Sequence, residues 1–352
     1  MDYNRKKRIP KFPLRKKYNY GFGLLKVYLS LTVIISHCCK RETTKNKFIF
    51  LIFVKSRRIH VPAFFILSFY FMYENLIAIK FRKILGRLER LFIPYLGWPI
   101  VIYILHNNLF YKFIKNNRKY SIVNLKNQLL WGNIYISQFW FQWDLIMITI
   151  LFYVIIFIFK KYNLLFLQLL ALFSYFLQYS GYNLRFYRTL KPENKECLGR
   201  LAESFPNTVT GFSFASLKVF DILNNYKIKT LIFSSLTFIL LEKYSLFPKI
   251  NGISYSGIDK NIRAISLILI FLLFPSDKIT NTKVKRVLRE FTNYTAGIFY
   301  LHNTVFLYFR NFIEPIKSGT FFGCVIIYII AYLFCFIGSK IAGKSKFKNL
   351  FA

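Results

Sequence analysis

The chain has 352 residues, of which 55% are hydrophobic and 20% aromatic, and it carries 51 Lys+Arg against 14 Asp+Glu. A mean hydropathy of +0.36, with repeated apolar runs near the length of a bilayer core, excludes an ordinary soluble, collagen-like or disordered chain. The formal net charge of +37 does not point to nucleic acid. The basic residues lie between apolar runs instead of along one face with stacking aromatics, as expected for loops against anionic lipid.

Residues 1–21 are a basic tail, with Arg5, Lys6, Lys7, Arg8, Lys11, Arg15, Lys16 and Lys17. No small-residue cleavage site follows, so the start does not read as a signal peptide. About ten candidate spans follow, at 22–39, 59–79, 91–111, 139–159, 163–181, 201–223, 228–247, 262–276, 291–312 and 320–341. The reading is an all-α integral membrane protein with about ten transmembrane helices in one bundle over 22–341, closed by a second basic tail at 342–352. The run Phe48–Val54 is too short to span and reads as interfacial. The Lys/Arg bias, led by the first tail, places both termini in the cytosol. Cys38, Cys39, Cys197, Cys324 and Cys335 form no CxxC pair and read as small apolar core residues. No metal spacing, nucleotide loop or internal repeat is present, so neither a metal nor a permanently bound cofactor is expected.

Polar residues inside the spans are costly and call for a partner or a task. Lys26 and His37 in the first span fall on nearly the same helical stripe, about 16 Å apart along the axis. The stripe offers a cation for an anionic group and an imidazole that exchanges protons near neutral pH. The second span opens His60-Val61-Pro62 and carries Ser68. The basic linker that follows sets Arg87 and Arg90 one helical turn apart, a spacing suited to gripping phosphate with guanidinium forks. Trp140 and Trp143 open the fourth span with Asp144 just inside it, Glu203 opens the sixth near Arg200, and the ninth contains Tyr300 and His302. His106, near the end of the third span, is given no role. A transporter or flippase of a polar or lipid-linked substrate is the competing reading, since Lys26, Glu203 and Lys218 could line a polar path.

Several segments, in order, resemble the acyltransferase 3 family of polytopic membrane acyltransferases. GLLKVYLSLTVIISHCC is similar to that family's first helix, where an Arg, ten residues and a His recur. HVPAFFILSFYF resembles its V-P-x-F-F-x-x-S-G segment, and GRLERLFIPYLGW its R-x-x-R-L-x-x-P-Y. FWFQWDL, the stretch around Phe205, Pro206 and Gly211, and AGIFYLHN are similar to its W-F-x-x-x-L, F-P-x-x-x-x-G and I-Y-x-x-H pieces. The resemblance implies transfer of an acyl group, usually acetyl, from acetyl-CoA as co-substrate to a hydroxyl of a surface carbohydrate or glycolipid. It implies that His37 is the base or a transient acyl carrier, with Tyr300 and His302 shaping the acceptor site or donating to the developing oxyanion. Lys26, Arg87 and Arg90 would hold the CoA phosphates, and Ser68, Trp140 and Trp143 would meet substrate. Two positions depart from the pattern. Lys26 stands where the family has Arg, keeping the charge but losing the fork. Phe69 stands where it has Gly, filling space that would be open.

Overall fold

The computed structural model describes residues 19–40, 59–108, 139–179, 192–243, 256–274 and 281–343, with isolated residues between and beyond them. Among the described residues regular structure is helical throughout. The helices are α1 (Tyr20–Cys38), α2 (His60–Ile77), α3 (Phe81–Asn108), α4 (Trp140–Phe159), α5 (Asn163–Tyr179), α6 (Pro192–Ser216) and α7 (Val219–Asn225). They continue with α8 (Lys227–Lys243), α9 (Ser256–Leu273), α10 (Thr282–Asn293), α11 (Thr295–Phe309), α12 (Glu314–Lys317) and α13 (Phe321–Ala342). The expected interfacial run 48–54 lies largely outside the described residues.

α1, α4 and α13 are each long and apolar enough to cross a membrane. The other expected spans coincide with helices that are shorter or carry charge. Several boundaries differ from the sequence reading, three of them for a clear local reason. The basic linker before the third span is itself helical, because Phe81–Arg90 is a run of good helix formers that continues into the apolar segment. The sixth span breaks at Lys218, whose backbone is left-handed (φ 52°), so α6 stops and α7 starts anew. The ninth divides at Tyr294 into α10 and α11.

α1 sits at the middle of the packing, against α2, α9, α10, α11 and α13. The Asn19 side chain caps its start by accepting from the Phe22 N–H at 3.2 Å. Its end is fixed where the Lys40 N–H donates to the Gly319 carbonyl at 2.9 Å. Gly319 holds φ +67° in the turn before α13, a conformation that favours glycine. Most of α1 is buried, and among its residues only Lys26 and His37 are exposed.

α2 and α6 make the closest helix pair. At Gly211 a Cβ would overlap the Ile66 carbonyl, so only glycine lets these backbones meet. Phe65, Phe69, Phe152 and Phe212 are fully buried around this contact. The outer faces are apolar: Phe157 on α4 is 55% exposed, Leu172 on α5 64%, Phe233 on α8 71% and Phe334 on α13 51%. So much exposed apolar surface, distributed around a packed bundle, fits a lipid environment rather than water. Near the chain's end, Phe351 turns back onto the bundle. Its ring lies edge-on to Trp98 of α3 at 5.7 Å, over Gly338 of α13, and its carbonyl lies against Gly297 of α11.

Candidate functional site

α11 presents its buried face, Ile298 to His302, to α1 and α4. His302 is fully buried. Its Nδ1 is 2.6 Å from the Phe299 carbonyl oxygen. A carbonyl only accepts, so Nδ1 carries the hydrogen, and in the neutral ring Nε2 keeps a lone pair. Nε2 is buried and makes no hydrogen bond among the described residues. The His37 ring lies 5.3 Å from the His302 ring, centroid to centroid. An exposed imidazole on α1 is therefore backed by a buried one on α11.

Aromatic rings from α4 and its approach pack on the α11 residues just before His302. Phe139 stacks on Tyr300 at 5.5 Å with the planes 12° apart, and Phe141 meets Phe299 edge-on at 5.6 Å. Phe141 also meets Phe65 of α2 at 4.7 Å, which ties the imidazole pair to the α2 face. Two polar anchors hold α4. Pro94 interrupts the hydrogen-bond ladder of α3, and Gln142, 1% exposed, donates to the Leu91 carbonyl in that turn. Asp144, with no exposed surface, accepts from Ser204 at 3.2 Å and faces Arg200 at 3.7 Å. Arg200 also bonds Glu196 at 3.0 Å, while Glu203, the neighbour expected from sequence, is exposed. Glu196 lies a full turn back from Arg200, and Asp144 reaches it from the facing helix.

A second group lies between α2 and α3. Arg87 turns inward and donates to the Ser68 hydroxyl, with its guanidinium 5.9 Å from the centre of the Phe69 ring. Phe69 is fully buried and packs on Phe152 at 4.4 Å. The side chain that departs from the family pattern thus fills a packed position and lines one side of the Arg87 guanidinium. Arg90 is exposed one turn further on, close enough for its charge to act on Arg87. Leu88 and Leu91, between and beyond these arginines, pack against both core clusters and bridge the two groups.

The structure brings His37 and His302 together, and Arg87 with Ser68, while Tyr300 stacks on Phe139. Lys26 and Arg90 are exposed and joined by no ion pair to either group among the described residues. Trp140 and Trp143 are half-buried at the start of α4; Trp140 meets Phe141 at 6.3 Å and Trp143 packs over Gly132. His60, to which the sequence reading gave no role, starts α2 within electrostatic range of His302. A histidine opening an apolar span was the available signal.

Together, the apolar helical bundle and an exposed imidazole backed by a buried one characterise a membrane protein with a paired-histidine site. The profile described as an acyltransferase domain, acyltransferase 3, matches residues 19–340. The chain belongs to this family, and is in general terms a membrane acyltransferase. No curated protein and no solved structure matches it.

Proposed function

We propose that the chain is an integral membrane O-acyltransferase that moves an acetyl group from acetyl-CoA to a hydroxyl of a surface or lipid-linked carbohydrate. The observation that carries this reading is the pairing of exposed His37 with buried His302 inside an acyltransferase-family bundle. His37 takes the proton of the acceptor hydroxyl as that oxygen attacks the thioester carbonyl. The carbon–sulfur bond then breaks, and the departing CoA thiolate takes up the proton. In the two-step form, the His37 nitrogen attacks the thioester carbonyl and CoA leaves as the thiolate; the acceptor oxygen then displaces the acyl group from that nitrogen as its proton passes to the thiolate. Under either route His302, with Nδ1 tied to Phe299, holds a lone pair toward the interior and orients its neighbour. The Tyr300 hydroxyl serves the developing oxyanion.

Arg87, held by Ser68, and exposed Arg90 and Lys26 meet the phosphates of the donor. Trp140 and Trp143 offer faces for the sugar. The termini lie in the cytosol, where CoA is available, and the bundle is surrounded by membrane lipid.

The test uses membranes containing the chain and radiolabelled acetyl-CoA. Label is expected in the carbohydrate or glycolipid fraction, released by mild base as an ester is, and absent with His37→Ala. Equal labelling by His37→Ala would overturn the assignment. Movement of an unmodified glycan across the membrane without labelling would favour a transporter.

A further inference from the structure

α10 is unlike the other helices. Its sequence, TKVKRVLREFTN, carries four cations and one anion in 12 residues. The Asn281 side chain caps it, accepting from the Lys283 and Val284 N–H groups at 2.9 and 3.2 Å. At 100° per residue, Val284, Val287, Leu288 and Phe291 fall in one apolar arc. Arg286 and Arg289 lie opposite, and Lys283 stands at the margin beside Val287.

Only part of that arc is used by the protein. Leu288 is 8% exposed, and Phe291 stacks on Tyr332 of α13 at 4.3 Å. Lys285 sets its ammonium 5.5 Å from the centre of the Tyr20 ring, at the start of α1. Val284 and Val287, one turn apart, remain 49% and 51% exposed, next to exposed Lys283 and Arg286. The helix also lies at the end of the bundle where α1 begins, directly after the basic residues 5–17 of the sequence.

We infer that α10 is an interfacial helix that docks on anionic lipid headgroups, with the Val284–Val287 edge set among acyl chains and Lys283, Arg286 and Arg289 at headgroup level. Charge complementarity selects an anionic lipid, because each cation held at such a surface adds to binding. The apolar edge selects a lipid over a soluble phosphate, which has no use for two exposed valines beside its cations. Lys285 fastens α10 to the helix that carries Lys26 and His37, so the lipid also steadies the start of that helix. The inference does not depend on acyl transfer and needs no activity to test it.

The experiment is hydrogen–deuterium exchange of segment 282–293 in the full chain, in nanodiscs of phosphatidylcholine with and without phosphatidylglycerol. Exchange is expected to slow by at least roughly fivefold in the anionic discs, the effect of about one cation at such a surface. The difference is expected to shrink as salt is raised, since exposed charges are screened. It is also expected to vanish in Lys283→Gln/Arg286→Gln/Arg289→Gln, with the exchange of segment 321–342 unchanged. Val284→Ser/Val287→Ser should weaken it while leaving its salt dependence. Equal exchange in both discs, or a difference insensitive to salt, overturns the inference. So does equal protection by inorganic phosphate in neutral discs, which would assign the cations to a soluble phosphate. The salt series on the unaltered chain keeps the test intact if the triple variant fails to fold.

Discussion

His37 and His302 come from helices far apart in sequence, yet their rings lie 5.3 Å apart. One is exposed and the other fully buried. This division assigns different work to the two imidazoles. His37 can meet substrate, whereas His302 can act only through a neighbour. His302→Gln is therefore expected to lower transfer by less than His37→Ala, which removes the base and costs roughly 10²–10⁴-fold. The double variant should be no slower than His37→Ala alone. Rates for the four proteins at saturating donor provide the check, and fully multiplicative losses would mean that the histidines work independently.

Arg87 is shared between Ser68 and the expected donor site. Arg87→Lys retains the charge but cannot reproduce the fork, so donor affinity should fall by roughly tenfold. Ser68→Ala should cost less, because it only frees the guanidinium to move. Equilibrium binding of labelled acetyl-CoA distinguishes the two variants. An unaltered affinity in Arg87→Lys would remove Arg87 from the donor site.

The α2–α6 contact tolerates nothing larger than glycine at Gly211, since a Cβ would meet the Ile66 carbonyl. Gly211→Ala is expected to destabilise the bundle by about 1–3 kcal/mol through overpacking. Thermal unfolding in detergent is the readout. Gly86→Ala on α3, where a Cβ meets nothing within 4 Å, should leave the midpoint unchanged or slightly raised.

Buried Asp144 and half-buried Arg200 form an ion pair linking α4 to α6. Asp144→Asn takes from Arg200 the buried carboxylate that faces it across the helix pair and is expected to cost about 1–3 kcal/mol. Asp144→Asn/Arg200→Gln should recover part of that loss. If the double variant were less stable than either single one, the pair would not be the source of the effect.

The helices were legible in the sequence because apolar runs of bilayer length leave few alternatives, and α1, α2, α4, α5 and α13 match their expected limits within a few residues. Breaks set by one residue's backbone were not legible. Nothing in Lys218 announces a left-handed turn, and no composition rule separates α10 from α11 at Tyr294. For the site, the His37 stripe was legible from spacing alone. Its pairing with His302 depends on how α1 crosses α11, which periodicity does not encode. Arg87 and Arg90 look equivalent in sequence. The packing of α3 on α2 turns one inward onto Ser68 and leaves the other exposed.

In the proposed reaction His37 performs chemistry and does not hold the donor. Purified protein in nanodiscs, given acetyl-CoA and a membrane glycan extract, allows donor binding and free CoA release to be followed in parallel. His37→Ala is expected to bind acetyl-CoA as the unaltered chain does and to release CoA at least about 10²-fold more slowly. CoA release by His37→Ala at the unaltered rate would contradict the account.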